Sequence, residues 1–134
     1  MCQHGSRCRG SPRLADRLSI LDTRSKIIPL EQARTQLRDK SACWVAGDFD
    51  PLLAEHVRKL REQVAPGRLL IVEVTNPARP LLSQQARAEL VAALKMVDYV
   101  VLGDGAGSSL GIDGSITQRF IENVVRRHRG QGAG

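Results

Sequence analysis

Aromatic side chains are scarce in this chain: one Trp, one Tyr and two Phe make up 3% of its 134 residues. Proteins that bind single-stranded nucleic acid stack bases on aromatic side chains, so this composition argues against such a surface. The hydrophobic fraction of 42% is instead mainly aliphatic, which is typical of the core of an α/β domain. At this length we expect one domain with a sizeable core rather than two.

Long apolar runs are also missing. No stretch approaches the ~20 residues that span a bilayer, and the first residues lack the apolar centre of a secretory signal. Cys2, Cys8 and Cys43 are an odd number and indicate free thiols in a reducing compartment. Cys2, His4 and Cys8 offer three metal-binding side chains without a fourth nearby, so we expect no metal site. These patterns predict a cytoplasmic protein without membrane contact.

The net charge of +6 is confined to the two ends of the chain. Residues 1–24 hold five arginines and two aspartates, residues 126–134 hold three arginines and no acid, and the remaining 12 basic and 12 acidic residues cancel. A nucleic-acid-binding domain concentrates positive charge on a folded face, whereas solvated tails give the pattern seen here. We therefore expect a disordered basic tail over 1–24, a folded domain over 25–129, a flexible tail over 130–134, and no nucleic-acid partner.

Between the ends, apolar patterns predict alternating helices and strands. The predicted helices are Pro29–Lys40, Pro51–Val64, one that is capped by Ser83 and reaches Val97, and Ser115–Arg127. The predicted strands are Ala42–Ala46, Arg68–Val74 and Tyr99–Leu102. The side chains expected to face the core from the last two helices are Ala86, Leu90, Ala93, Leu94 and Val97, then Phe120, Ile121, Val124 and Val125. Near-continuous apolar strands between helices predict a Rossmann-like three-layer α/β sandwich with a mostly parallel sheet.

The segment from Ala42 to His56 carries the strongest local signal. A short buried strand ends at Gly47, and Asp50 and Pro51 stand where the N-cap and first residue of a helix would lie. A glycine turn lets the backbone approach an anion, and the free N–H groups of a helix start point at it. The segment therefore predicts an anion site.

Ligands of open parallel sheets bind beyond the carboxyl ends of the strands. That edge would carry residues 47–50, 75–79 and the glycine-rich run 103–109. The run could close over a nucleotide through its backbone N–H groups, or it could be a mobile loop.

Gly47-Asp48-Phe49-Asp50 followed by His56 resembles the G-x-F-D-x-x-H-x-G-H signature of the cytidylyltransferase-like nucleotidyltransferases. Within that family, the chain is most similar to adenylyltransferase domains of the ADP-heptose synthesis type. The resemblance extends from Lys26 to His128 through Lys26–Ala33, Arg68–Val74, Arg79–Pro80, Arg87–Glu89 and Val91–Val101.

The resemblance implies transfer of a nucleotidyl group from ATP or CTP, with magnesium, to a phosphorylated sugar or polyol. The acceptor phosphate attacks the α-phosphorus and pyrophosphate leaves, so the protein's task is to position phosphates and to stabilise their developing charge. By resemblance His56 is catalytic, and the nucleotide-binding residues are Ala46, Gly47, Asp48, Phe49, Asp50, Asn76, Arg79, Arg87, Ser115 and Thr117. The implied partners are a nucleotide and a phosphorylated small molecule, and a homodimer is an open alternative.

The sequence departs from the family's pattern at three points, two of which lie in the signature. Leu53 stands at the position of the first histidine and cannot donate a hydrogen bond, and Glu55 replaces the glycine with a carboxylate. The loop Asn76–Pro80 lacks a lysine for the triphosphate; Arg79 either replaces it or is a solvated loop residue. Because losing one donor to a transition-state oxygen costs ~10²–10³ in rate, we expect turnover to be absent or very slow.

Two functions therefore remain open. One is a divergent nucleotidyltransferase that uses His56, the glycine turn and a substitute arginine. The other is an inactive relative that binds a nucleotide weakly or binds a protein partner. The retained residues do not decide between them, because 47–50 also suit a turn, a buried aromatic and a helix cap. Similarly, His56 could be a helix residue near the surface, Arg87 could pair with a neighbouring acid, and Ser115 could be an N-cap.

Overall fold

The computed structural model describes residues 22–106, 110–112 and 114–132. In these residues, helices and strands alternate along the chain. A 3-10 helix at Thr23–Lys26 is followed by α1 (Leu30–Gln36), β1 (Ala42–Gly47), α2 (Ala54–Arg61), β2 (Leu69–Val74), α3 (Gln84–Ala92), β3 (Tyr99–Leu102), β4 (Leu110–Gly111) and α4 (Ser115–Gly132). The predicted α/β class is confirmed. Residues 1–21 of the predicted first tail and 133–134 of the predicted last tail lie outside the described residues, whereas 130–132 belong to α4.

The strands form one parallel sheet in the order β3-β2-β1-β4. β1 and β2 pair in register from Ala42 opposite Leu69 to Gly47 opposite Val74, so their carboxyl ends are level. β4 pairs with Val45 and Ala46 and was not predicted. Its two residues are exposed and follow the glycine-rich run, so they carry no apolar pattern.

Helices cover both faces of the sheet. On one face, strand residues such as Val45, Val72 and Val100 pack with Leu60 of α2 and with the buried residues of α3. On the other face, Ile71 and Val101 pack under α1, against Leu30, Ala33 and Leu37. The Rossmann-like three-layer arrangement is therefore confirmed.

The buried face of α3 differs from the prediction. Ser83 does cap the helix, and its hydroxyl accepts from the N–H of Ala86 at 3.1 Å. The buried residues, however, are Arg87, Ala88, Val91 and Ala92, and Leu90 is 45% exposed. The apolar pattern alone was misleading, because a buried arginine occupies one of the inward positions. The helix ends at Ala92, and Leu94 and Val97 reach the core from the following turn.

The predicted inward face of α4 is wrong at three of its four positions. Phe120, Val124 and Val125 are 40–50% exposed, whereas Ile121 is half-buried and Ile116 is buried. The helix continues past Arg127 to Gly132, and only its first turns pack on the body. Periodicity reveals an apolar stripe but not the surface it meets. None of the helices in the described segments is both long and apolar enough to cross a bilayer.

Gly103, directly after β3, tests the packing at the carboxyl edge. A Cβ there would lie 2.2 Å from Oε1 of Glu73, whose exposed fraction is 1%. Because a buried side chain cannot move aside freely, we expect Gly103→Ala to lower the free energy of unfolding by about 1–3 kcal/mol, measured by urea titration. Gly111→Ala is the matched control, since nothing lies within 4 Å of a Cβ there. Equal losses in the two variants would contradict the close fit.

Candidate functional site at the carboxyl edge of the sheet

Three segments meet beyond the carboxyl ends of β1 and β2: the turn before α2, the loop before α3 and the first turns of α4. They enclose a cavity of about 210 Å³. Its lining residues are Asp48, Asp50, Pro77, Arg79, Leu81, Gly114, Thr117, Gln118 and Ile121. The structure therefore brings four of the predicted binding residues, Asp48, Asp50, Arg79 and Thr117, around one cavity.

Arg87 lies beneath this cavity, with none of its surface exposed. Its Nη1 donates to the carbonyl oxygens of Asp48 at 2.8 Å and Thr75 at 2.5 Å. Its Nε donates to the carbonyl of Leu82 at 3.0 Å, and its Nη2 donates to Oδ1 of Asn76 at 2.6 Å. Arg87 therefore makes neither the predicted nucleotide contact nor the alternative ion pair. Its buried guanidinium donates to four neutral oxygens instead, and these bonds hold together the two loops that form the site.

Asp50 also has a different role from the one predicted. Helix α2 begins at Ala54, so Asp50 lies too far upstream to cap it, and Pro51 belongs to the preceding turn. The buried Asp50 carboxylate instead accepts from the backbone N–H groups of Leu81 at 2.6 Å and Leu82 at 2.9 Å. It thus joins the turn after β1 to the loop before α3.

The turn after β1 is closely packed. Phe49 has a φ of 49°, in the left-handed region, and is 1% exposed. A Cβ at Gly47 would lie 2.8 Å from Cζ of Phe49, so the turn requires glycine there. Ala46 is also buried, and its carbonyl accepts from the N–H of Ile112 at 2.7 Å. The side chains of Ala46 and Phe49, predicted to bind a nucleotide, are therefore buried in the protein and line neither of the two cavities described here.

His56 is buried, with 2% of its surface exposed, so its alternative as a near-surface helix residue is wrong. Its Nδ1 accepts from the N–H of Leu53 at 2.9 Å, and its ring meets Phe49 edge-on at a centroid distance of 5.4 Å. Burial lowers the pKa of His56, while the charges of Glu55 and Asp48 oppose that shift. The ring is therefore neutral near pH 7, and with Nδ1 accepting, Nε2 carries the proton.

Leu53 and Glu55 flank the start of α2. Leu53 is the N-cap residue, and its side chain makes no capping bond. The Glu55 carboxylate pairs with Arg119 of α4 at 2.7 Å. The pair lies in a second cavity of about 540 Å³, lined by Glu55, Lys59, Glu62, Gln63, Leu110, Gly111, Ile112, Ser115, Ile116 and Arg119. Of these two departures from the signature, Glu55 therefore lines a cavity, whereas Leu53 lines neither of the two.

The remaining predicted residues take different positions. Asn76 is exposed, but its side-chain amide oxygen accepts a hydrogen bond from Arg87. Ser115 is the first residue of α4 rather than the residue before it, and it lines the larger cavity. Part of the glycine-rich run, 107–109, lies outside the described residues.

Two structural roles at this edge were not predicted. The hydroxyl of Thr75 donates to the Asp48 carboxylate at 2.5 Å, and Arg119 holds Glu55. The position of Arg119 could have indicated a role at this edge, because it lies one helical turn after Ser115. Nothing in the sequence indicated which residue it would meet.

The fold and site together define a Rossmann-like α/β domain whose candidate ligand edge holds a glycine turn and a buried histidine. No protein-family model matches the chain. It is 37% identical over 76 residues to bifunctional protein HldE of Syntrophotalea carbinolica, which covers 50% of this chain and 16% of that protein. It is 34% identical over 94 residues to HldE of Helicobacter pylori strain P12, and 34% identical over 93 residues to HldE of Geobacter sulfurreducens. These two matches cover 63% of this chain, and 20% and 18% of the respective relatives.

The chain is therefore similar to one segment of bifunctional protein HldE, which confirms the predicted relationship. It spans about a fifth or less of the length of these curated relatives.

Substitution of Arg87 tests how much its hydrogen bonds contribute to stability. Arg87→Met breaks four partly buried hydrogen bonds and leaves their oxygens without a donor, so we expect the free energy of unfolding to fall by about 3 kcal/mol or more. The free energy of unfolding of Arg87→Lys should lie between those of wild type and Arg87→Met, because one ammonium group cannot reach all four acceptors. Urea titration measures both. Arg58→Met, at an exposed position of α2, is the control, and a comparable loss there would contradict the assigned role.

His56 should make stability depend on pH. Because its pKa is lowered in the folded state, the unfolded chain takes up the proton first as the pH falls. The stability associated with the neutral ring is complete above the ordinary value of 6.5 and decreases as the pH falls below it. We expect the wild-type Tm to fall between about pH 7.5 and about pH 5.5, and to fall less in His56→Asn.

In that variant an amide oxygen can still accept from Leu53 without titrating. His128→Asn, at an exposed position of α4, is the control and should retain the wild-type pH dependence. An unchanged pH dependence in His56→Asn would remove His56 as its source.

Proposed function

We propose that this domain is nucleotidyltransferase-like and binds the phosphates of ATP or CTP at the carboxyl edge of its sheet, with nucleotidyl transfer absent or very slow. The acceptor class, a phosphorylated sugar or polyol, follows from the resemblance. The relationship to HldE supports the nucleotidyltransferase-like part of the proposal.

The observation that carries the proposal is the neutral His56 beside the Gly47 turn. The histidine is held at the start of α2 with its Nε2–H as the donor. The turn that precedes it is fixed by Arg87 and Asp50 before any ligand arrives. A preorganised donor beside a glycine turn is suited to binding a phosphate oxygen.

The residues around His56 are poorly suited to fast turnover. Leu53 offers no side-chain donor, and Glu55 has already engaged Arg119. Residues 76–80 contain no lysine, and Arg79 is an exposed cation beside the smaller cavity. Phosphoryl chemistry of this kind depends on charge stabilisation, so these changes lower the rate more than they weaken binding.

Magnesium fits this edge only as an ion carried by the nucleotide. Asp48 and Asp50 line the same cavity, but both Asp50 oxygens accept backbone N–H groups. The described segments contain no group of three or more His, Cys, Asp or Glu side chains suited to a metal. Asp48 would hold the ion together with the phosphates, and the ion would neutralise phosphate charge.

The alternative is a divergent working enzyme. It is favoured by the retained His56, whose tautomer leaves a donor for a transition-state oxygen, and by Arg79 at the cavity. In this alternative Arg79 replaces the missing lysine.

Calorimetric titration of ATP and CTP, each with magnesium, tests the proposal on wild type and on Leu53→His/Glu55→Gly. We expect weak binding by wild type, at least about tenfold tighter binding by the double variant, and no burst of pyrophosphate with any sugar phosphate. Robust pyrophosphate release by wild type would establish the working enzyme instead. Absence of nucleotide binding by both proteins would overturn the proposal. Arg58→Met serves as the control for changes on α2 away from the site.

A further inference from the structure

In the described part of the chain, Glu55 and Arg119 form the only ion pair between α2 and α4. The carboxylate Oε1 lies 2.7 Å from Nη2 of Arg119. The Nε of Arg119 also donates to the carbonyl of Ser115 on its own helix, at 3.4 Å. The guanidinium is therefore held between the two helix starts and faces the cavity of about 540 Å³.

We infer that Glu55 determines the ligand specificity of this cavity: its carboxylate is an internal competitor that occupies the Arg119 guanidinium and excludes weakly charged anions. The inference rests on the proposed function, because it concerns the phosphate end of the same site. It assigns the cavity to ligands with several negative charges, such as pyrophosphate or the triphosphate of a nucleotide.

The chemistry of the pair supports this assignment. A planar guanidinium binds carboxylate and phosphate oxygens with the same donor geometry. A phosphate group that approaches Arg119 must therefore displace Glu55 and remain close to the released carboxylate. The lining of the cavity holds one further cation, Lys59, and one further carboxylate, Glu62. These two charges cancel, so Lys59 does not offset this repulsion.

The pair is also weak enough to be displaced. The side chains of Arg119 and Glu55 are 58% and 38% exposed, and ion pairs with that exposure contribute little and are screened by salt. A singly charged anion gains too little to replace the internal carboxylate. A ligand with two or more charges gains more from Arg119 and can replace it.

Binding of inorganic pyrophosphate, measured by calorimetry at low and at physiological salt, tests the inference. Glu55→Gln should bind pyrophosphate at least about tenfold tighter than wild type at low salt, with a smaller gain at higher salt. Glu62→Gln is the matched control, because it removes the same charge from the same cavity and leaves the pair intact; its affinity should change by less than about threefold. In Glu55→Gln/Arg119→Gln the gain should be lost.

Three results would overturn the inference: no gain in Glu55→Gln, an equal gain in Glu62→Gln, or a gain that persists without Arg119. ATP and CTP titrations of the same proteins separate this inference from the proposed function. Equal nucleotide binding by wild type and Glu55→Gln would keep the proposed function and remove the role of Glu55. Tight pyrophosphate binding by Glu55→Gln without nucleotide binding by any variant would do the opposite.

Discussion

The carboxyl edge of this domain depends on the burial of one guanidinium. Arg87 has no exposed surface, and its four partners are neutral oxygens from the end of β1, the end of β2 and the loop before α3. A buried charge without such partners is strongly unfavourable. The loops must therefore keep their carbonyl groups directed inward, and the shape of the site is a condition of folding. A substitution that alters these loops is therefore expected to lower the stability of the fold as well as to change the shape of the site.

The sequence predicted the architecture better than the faces of its helices. Nearly continuous apolar strands such as Leu69–Val74 are typical of strands buried on both faces, so the parallel sheet and its layers were predicted from the apolar pattern. The short strand β4 could not be predicted, because Leu110 and Gly111 acquire their pairing from β1 rather than from their own pattern. The faces of α3 and α4 were misjudged at Leu90 and Val124 for a related reason: amphipathicity does not specify which neighbour is present.

At the site, the sequence predicted some of the residues that gather around the smaller cavity but not what they bond. Gly47, Asp48 and His56 follow one another through the end of β1, the turn and the start of α2, which fixes their order in space. Asp50 was predicted as a helix cap, yet its carboxylate bonds the amides of residues 31 and 32 positions further along the chain. Arg87 was predicted by resemblance to contact the nucleotide, yet its guanidinium bonds four oxygens of the surrounding segments. Polar side chains that bridge distant segments leave no local pattern, so such partners are found only in three dimensions.

The carboxylate of Asp50 has one more consequence, for how motion at this edge can be observed. The amide hydrogens of Leu81 and Leu82 are bonded to it although both side chains are exposed, at 64% and 37%. Amides in an exposed loop ordinarily exchange with solvent quickly, whereas these two exchange only when the loop separates from the turn after β1. Their deuterium uptake therefore reports the separation of these two segments. Hydrogen exchange at Leu81 and Leu82 thus measures how well ordered the turn at Asp50 is, although that turn lies 31 and 32 residues earlier in the chain.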